Sequence, residues 1–410
     1  MPSLSVALLV ALGLLAGAAM VPSLAAAAPA APTATLVARL DERLPGLMER
    51  YEVPGVAIAL IQDGEVTWTQ AYGLADASSG RALGPDSVFR AESLSKPIAA
   101  NTVLALLVEE VTGAGFASVA EDRVLGPLGM ADAGFSWDED RAARLAVGHE
   151  LDESTVAPYV YATSASGGLL ATVDDLGRFA AVLATADAAS TRPHERAISR
   201  LLTPTGPLGG PYRAVADRQG MGVFLETLPD GGDAAFSGGQ GHGWMSHLHV
   251  LPGTGAGIVI LTNSQRSWPL IAHVLTDWAE HAGAGTVGMG RIVTATRLLW
   301  GAIAAILAAS AWQGWRLARQ AACRPDDGRG RPTRGAAPRL LQAAVGLSAL
   351  GTLVWLGQQD YLFVTSVFPA ASPWLGASIG VLGVMLVTSA AAPVRTRPGS
   401  VGQPSDLSAR

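Results

Sequence analysis

The chain is nearly without lysine. Of its 28 basic residues, 27 are arginine, and Lys96 is the single lysine. Arginine does not release its proton in a protein, whereas a buried lysine can. Cysteine is equally scarce: Cys323 stands alone, which excludes an internal disulfide. Phosphate loops of the G-x-x-x-x-G-K-[ST] or G-x-G-x-x-G kind are absent, as is any Cys/His spacing suited to structural zinc. No cofactor or metal is therefore expected. Residues 1–32 carry no charged side chain at all.

Charge elsewhere is divided unevenly. Residues 1–290 hold 16 basic and 30 acidic side chains, and residues 291–410 hold 12 basic and 4 acidic, giving the net −6. The acidic part offers no basic stripe for nucleic acid, which is excluded as a partner. With 410 residues the chain has room for an enzyme-sized domain and further segments. Val6 to Leu24 reads as the apolar stretch of an export signal, and Ala25 to Ala31 supplies small residues for cleavage.

Leu36, Leu40, Leu44 and Met48 recur four apart, which predicts an amphipathic helix over Thr33 to Tyr51, broken at Pro54-Gly55. Val56 to Gln62 and Val66 to Tyr72 flank Asp63-Gly64, a hairpin signal. A helix from Asn101 to Thr112, another over Phe116 to Leu128 and a third from Val173 to Leu183 are expected. Ala234–Gly238, Trp244–Leu251 and Ala256–Thr262 read as strands, followed by a helix from Trp268 to His281. The fold class is thus α/β (α+β): a five-stranded, mostly antiparallel sheet, with helices from both ends of the domain covering one face.

Three apolar segments follow, Leu298–Trp315, Leu340–Gly357 and Trp374–Ala392, each long enough to cross a hydrocarbon core. Trp300, Trp315, Trp355 and Trp374 lie near their ends, as interfacial aromatics do. The first connecting loop carries Arg316, Arg319, Arg324, Arg329, Arg331, Arg334 and Arg339, the tail carries Arg395 and Arg397, and the second loop, around Asp360, has no basic residue. Positive loops stay in the cytoplasm. The second loop and residues 33–290 are then expected on the extracytoplasmic side of a cell membrane.

The lone lysine is spaced for chemistry. Ser93 and Lys96 form an S-x-x-K pair, and residues three apart on a helix share a face. A serine hydroxyl becomes a nucleophile when a neighbouring base takes its proton. If Ser93 opens a helix, free backbone N–H groups beside it favour a developing oxyanion.

Several blocks around this pair resemble the serine beta-lactamase and penicillin-binding-protein superfamily, in the style of the class C beta-lactamase-related hydrolases, which include DD-peptidases and esterases. They are Val53-Pro54-Gly55-Val56 with its hairpin, Phe89 to Ala100, Val108 to Gly113, Pro127 to Met130, Ser166-Gly167-Gly168 with Asp174-Asp175, and Ser237 to Asn263. The resemblance implies Ser93 as acylated nucleophile and Lys96 as its proton-transfer partner. It places the third motif on Ser237-Gly238-Gly239 and makes Gln240 the source of a second oxyanion N–H.

Two departures stand out. The long lid region after the lysine is missing, and with it the Tyr-x-Asn motif: Asn101 is its expected remnant, while Ala99 occupies the tyrosine position. Tyr159 and Tyr161 are the tyrosines that could replace it. Ser237 stands where Lys or His normally adds positive charge, so a substrate carboxylate is held less strongly. His242 is a possible substitute or a polar strand end. His247 and His249 alternate on one strand, expected to be half-buried.

The organisation implied is a signal peptide at 1–31, a hydrolase domain at 33–288, a three-helix anchor at 292–393 and a cytoplasmic tail at 394–410. The expected function is a membrane-anchored serine hydrolase acting on a small acyl substrate: a peptidoglycan peptide, a beta-lactam or an ester. The missing lid leaves two alternatives open: a catalytically impaired relative that binds an envelope ligand or partner, and a shortened form of an active enzyme joined at Ala100/Asn101.

Overall fold

The computed structural model describes residues 33–100, 113–186, 193–322, 336–359 and 363–392. The expected leader at 1–31, Asn101 with the helix after it, Cys323, four arginines of the first loop and the tail at 394–410 lie outside the described residues. The chain divides into two compact units at Arg297/Leu298, and the segment Phe363–Ala370 clusters with the first.

The first unit opens with helix α1 (Thr33–Tyr51), over the residues its leucine spacing predicts. Strands β1 (Gly55–Gln62), β2 (Glu65–Asp76) and β3 (Arg81–Ala82) follow. Asp63 and Gly64 both take positive φ, +51° and +76°, the backbone that a two-residue hairpin turn needs. Next come β4 (Phe89–Arg90), helix α2 (Ser95–Ala100), β5 (Gly148–His149), β6 (Thr155–Val156), β7 (Leu170–Ala171) and helix α3 (Val173–Ala184). The unit continues through β8 (Gly206–Pro207), β9 (Arg218–Gln219), β10 (Phe224–Thr227), β11 (Asp233–Gln240), β12 (Met245–Leu251), β13 (Ala256–Thr262) and helix α4 (Trp268–His281).

Among the described residues the main sheet has nine strands rather than five, in the order β3-β2-β1-β13-β12-β11-β10-β9-β8. All of its pairings are antiparallel. The five strands legible in the sequence are the consecutive block β2-β1-β13-β12-β11. The four additional strands are two to four residues long, too short for an alternating pattern to register.

Alternate residues of the central strands feed two separate cores. Val56, Ile58, Leu60, Ile258 and Ile260 pack with Leu36, Leu40 and Leu44 of α1 and with Leu270, Val274 and Leu275 of α4. Ala57, Ala59, Ile61, Val259 and Leu261 pack with Leu176, Phe179, Ala180 and Leu183 of α3. Helices therefore cover both faces, so β12 is buried along its whole length instead of half-buried. Thr172 and Asp175 cap α3 reciprocally, and Asp174 pairs with Arg178 one turn on.

Helix α5 (Arg291–Ala322) runs across the boundary into the second unit, which also holds α6 (Ala336–Leu356) and α8 (Ser372–Ala391); α7 (Phe363–Val367) lies between them in sequence and belongs to the first unit. Among the described residues three helices, α5, α6 and α8, are long and apolar enough to cross a membrane. Within the second unit Gln313 Nε2 donates to Ser389 Oγ at 2.7 Å, and Arg339 Nη2 donates to the Ala390 carbonyl at 2.6 Å, where α8 ends.

Candidate active site

The turn that carries Ser93 is fixed from below before it begins. Phe89 and Arg90 pair with Ala171 and Leu170, and the Ala91 N–H donates to the Leu169 carbonyl at 2.9 Å. A single 3-10 turn, Glu92–Leu94, then leads into α2. Glu92 bends the chain there with φ +53°, a conformation that a non-glycine residue holds only when its surroundings enforce it. Leu94 and Ile98 are wholly buried and anchor the turn from inside.

Ser93 and Lys96 meet across that turn: Lys96 Nζ lies 2.5 Å from Ser93 Oγ. Ser93 is half-buried and the Lys96 side chain is exposed. Desolvation lowers the Lys96 pKa from its ordinary value, and the negative charge of Glu92 opposes that shift. The exposure tempers the desolvation, because water reaches the amine.

Strand β11 lies against the same turn. Ser246 Oγ donates to the Ala91 carbonyl at 2.6 Å. A Cβ on Gly239 would strike that carbonyl and the Ser246 hydroxyl, so only glycine allows the approach. Gly238 pairs with His247, Gly239 with Ser246 and Gln240 with Met245. Thus Ser93, Lys96, Gly239 and Gln240 are gathered by one turn and one strand. The Ser237 hydroxyl is buried and donates to the Gly222 carbonyl at 3.1 Å. The Gln240 side chain is held at both ends: Nε2 donates to Ser366 Oγ at 2.6 Å, and Oε1 accepts from Trp268 Nε1 at 3.0 Å.

The structure adds a cluster that the sequence did not yield. Glu92, beside Ser93, is wholly buried. Its carboxylate accepts from the Tyr159 hydroxyl at 2.9 Å and from the Tyr161 hydroxyl, with Arg90 Nε 3.4 Å away. The Arg90 guanidinium lies 4.0 Å from the Tyr159 ring centroid. Burial pushes the Glu92 pKa up, and the two phenols and Arg90 oppose the shift. Burial and the neighbouring carboxylate push Tyr159 up to about 12, and Tyr161 also moves upward. Both phenols therefore stay protonated near neutral pH as donors to Glu92. No local pattern joins Glu92 to tyrosines 67 and 69 residues away.

The remaining histidines occupy other roles. His242 is exposed, with Nδ1 3.0 Å from Glu150 Oε1. His247 and His249 are wholly buried, and their facing nitrogens, Nε2 and Nδ1, are 3.4 Å apart. Phe236 stacks on both rings. Among the described residues no group of three or more His, Cys, Asp or Glu side chains is arranged to hold a metal ion.

Comparison with known proteins is consistent with this arrangement. A profile of the family described as Beta-lactamase matches residues 40–109 and 98–276, together more than half of the chain. The two matches overlap around the junction Ala100/Asn101. The esterase EstB of Burkholderia gladioli is 36% identical over 74 residues, covering 18% of this chain and 19% of that protein. Protein Rv1367c of Mycobacterium tuberculosis (strain ATCC 25618 / H37Rv) is 36% identical over 91 residues, covering 20% and 23%. The chain therefore aligns with about a fifth of the length of these curated relatives. Two solved structures share the fold, each with a TM-score of 0.53 over 61% of this chain. One is the octameric penicillin-binding protein homologue from Pyrococcus abyssi, 15% identical with 78% of that chain covered. The other is the D-alanine carboxypeptidase AmpC from Burkholderia cenocepacia, 17% identical with 99% covered. With its serine and lysine one turn apart beneath a glycine-edged strand, and with the profile spanning most of its first unit, this chain belongs to the beta-lactamase family.

Proposed function

We propose that the chain is a membrane-anchored serine hydrolase whose Ser93 attacks an acyl carbonyl and whose Lys96 takes the hydroxyl proton. The 2.5 Å approach of Lys96 Nζ to Ser93 Oγ carries this reading. In the first step the Ser93 oxygen bonds to the carbonyl carbon, the leaving group departs with a proton, and an acyl-enzyme remains. Water then releases the acid and restores the serine. The Ser93 N–H at the turn and the Gln240 N–H on β11 are assigned to the oxyanion. Tyr159 and Tyr161 are assigned no proton transfer, since both donate to Glu92.

The substrate class proposed is a neutral acyl group, a small ester before a carboxylate-bearing peptide or beta-lactam. Ser237 brings no positive charge to the third motif, and its hydroxyl is bonded to Gly222. The three apolar helices support anchoring. The clustering of Phe363–Ala370 with the hydrolase unit supports placing the loop between the second and third apolar helices on the hydrolase side of the membrane. The arginine-bearing first loop supports the cytoplasm as the opposite side. The proposed segments remain those expected above: leader, hydrolase domain, anchor and tail.

The reading is tested on the full chain in detergent. A neutral p-nitrophenyl ester is expected to be hydrolysed faster than one carrying a carboxylate on its acyl group, and Ser93→Ala is expected to remove the activity. The exposure of Lys96 favours a second reading, an impaired relative that binds acyl ligands without turning them over. A folded wild type no faster than Ser93→Ala on either ester would select it.

A further inference from the structure

The segment between the second and third apolar helices reaches the acyl site of the first unit. Ser366, in α7, is wholly buried. Its hydroxyl accepts from Gln240 Nε2 at 2.6 Å, across 126 residues of sequence. Trp268 of α4 holds the other end of the same amide. Beside this polar contact Val367 is buried in the core built on α1 and α4, and Phe368 packs against that core. Gln240 ends β11, and the carbonyl of the next residue, Gly241, accepts from Gln265 Nε2 at 2.7 Å. The end of the third-motif strand is thus tied on three sides, and one tie comes from a segment flanked by apolar helices.

A carboxamide gripped at both ends has one orientation left, and its backbone is fixed with it. An oxyanion donor needs that fixity, because displacement of about 1 Å can cost on the order of 100-fold in rate. We propose that Phe363–Ala370 is a positioning element of the acyl site: Ser366, acting through the Gln240 side chain, holds the Gln240 N–H in place, so the first unit is completed by a segment that lies in sequence between two of the apolar helices. This rests on the functional reading above for its catalytic consequence, and on geometry alone for its structural one. Ser366 is a positioning residue, since it touches Gln240 and not the reacting atoms.

Two readouts on the full chain in detergent test it. The first is amide deuterium exchange over 239–245. Ser366→Ala is expected to speed exchange there by about tenfold, with the remainder of the sheet unchanged. Equal protection in wild type and Ser366→Ala overturns the proposal, whether or not the protein hydrolyses anything. The second is the rate of Ser93 acylation by a fluorophosphonate. Ser366→Ala and Gln240→Ala are expected to slow it by about tenfold each. The double variant is expected to be no slower than Gln240→Ala alone, because the Ser366 contact is already lost there. Ser366→Thr, which keeps a hydroxyl, is expected to restore the rate. Unchanged acylation in both single variants of a wild type that does acylate overturns the proposal and leaves the hydrolase reading intact. A wild type that never acylates defeats the hydrolase reading, and exchange then decides the positioning claim by itself.

Discussion

Lys96→Arg should lower hydrolysis by about 10²–10⁴-fold, the range expected when a positioned proton-transfer group is lost. Arginine keeps the charge and most of the length but does not give up its proton, so it cannot receive the one on Ser93. A charge-only role would survive this change, and a proton-transfer role would not. The pH dependence supplies the companion result. Desolvation lowers the Lys96 pKa, and the base form is the neutral amine. Activity should therefore rise with pH and level off above a midpoint below the ordinary lysine value. Glu92 pulls that midpoint upward. Glu92→Gln keeps an acceptor for Tyr159 and Tyr161 and removes the charge, so the midpoint should move to lower pH. A midpoint that stays in place, or a Lys96→Arg chain with wild-type rates, contradicts the assignment of Lys96 as base.

The second large effect concerns stability in acid. His247 and His249 are buried neutral; desolvation lowers His249 to about 3 and His247 well below its ordinary value. His247 Nδ1 and His249 Nε2 have no hydrogen-bond partner among the described residues. In the unfolded chain both imidazoles bind protons below about pH 6.5. Between that pH and the folded value only the unfolded state is protonated, so stability falls as pH falls. For His249 the loss at pH 5 is about 2 kcal/mol, from about 1.4 kcal/mol per pH unit over 1.5 units. His247 adds loss of the same sign. The urea midpoint of the full chain, followed by tryptophan fluorescence, should decline from pH 6.5 downward, and His249→Leu should flatten that decline. Equal slopes for wild type and variant would show that the imidazole is protonated in the folded state.

How much of this was legible beforehand follows from the length scale of each signal. The five long strands and the helices α1, α3 and α4 carry periodic apolar patterns, and the structure forms them close to their expected bounds. The four extra strands are too short to show a period, and their pairing is decided by the long strand beside them. The full burial of β12 could not be read from His247 and His249, because alternation of polar residues signals a wet face unless something covers it. Here Phe236, Trp268 and Trp278 cover it.

The site divides in the same way. Ser93 and Lys96 are three residues apart, so helical spacing sufficed to bring them together. Glu92 with Tyr159 and Tyr161, and Gln240 with Ser366, are joined through tertiary contacts that no local pattern encodes. The positive φ of Glu92 is likewise imposed by its buried contacts and not by its residue type. Ser237 adds no charge at its position, and its hydroxyl donates to the Gly222 carbonyl, a contact between residues 15 apart that no local pattern encodes.

The central claim is that Ser93 forms a covalent acyl-enzyme. Its most direct test is intact mass measurement of the full chain after exposure to a fluorophosphonate, with the adduct mapped by peptide fragmentation. The account predicts one phosphonyl group per chain, on Ser93, that is absent from Ser93→Ala and formed far more slowly in Lys96→Arg. An adduct on any other residue, or equal labelling of the Ser93→Ala chain, would contradict it.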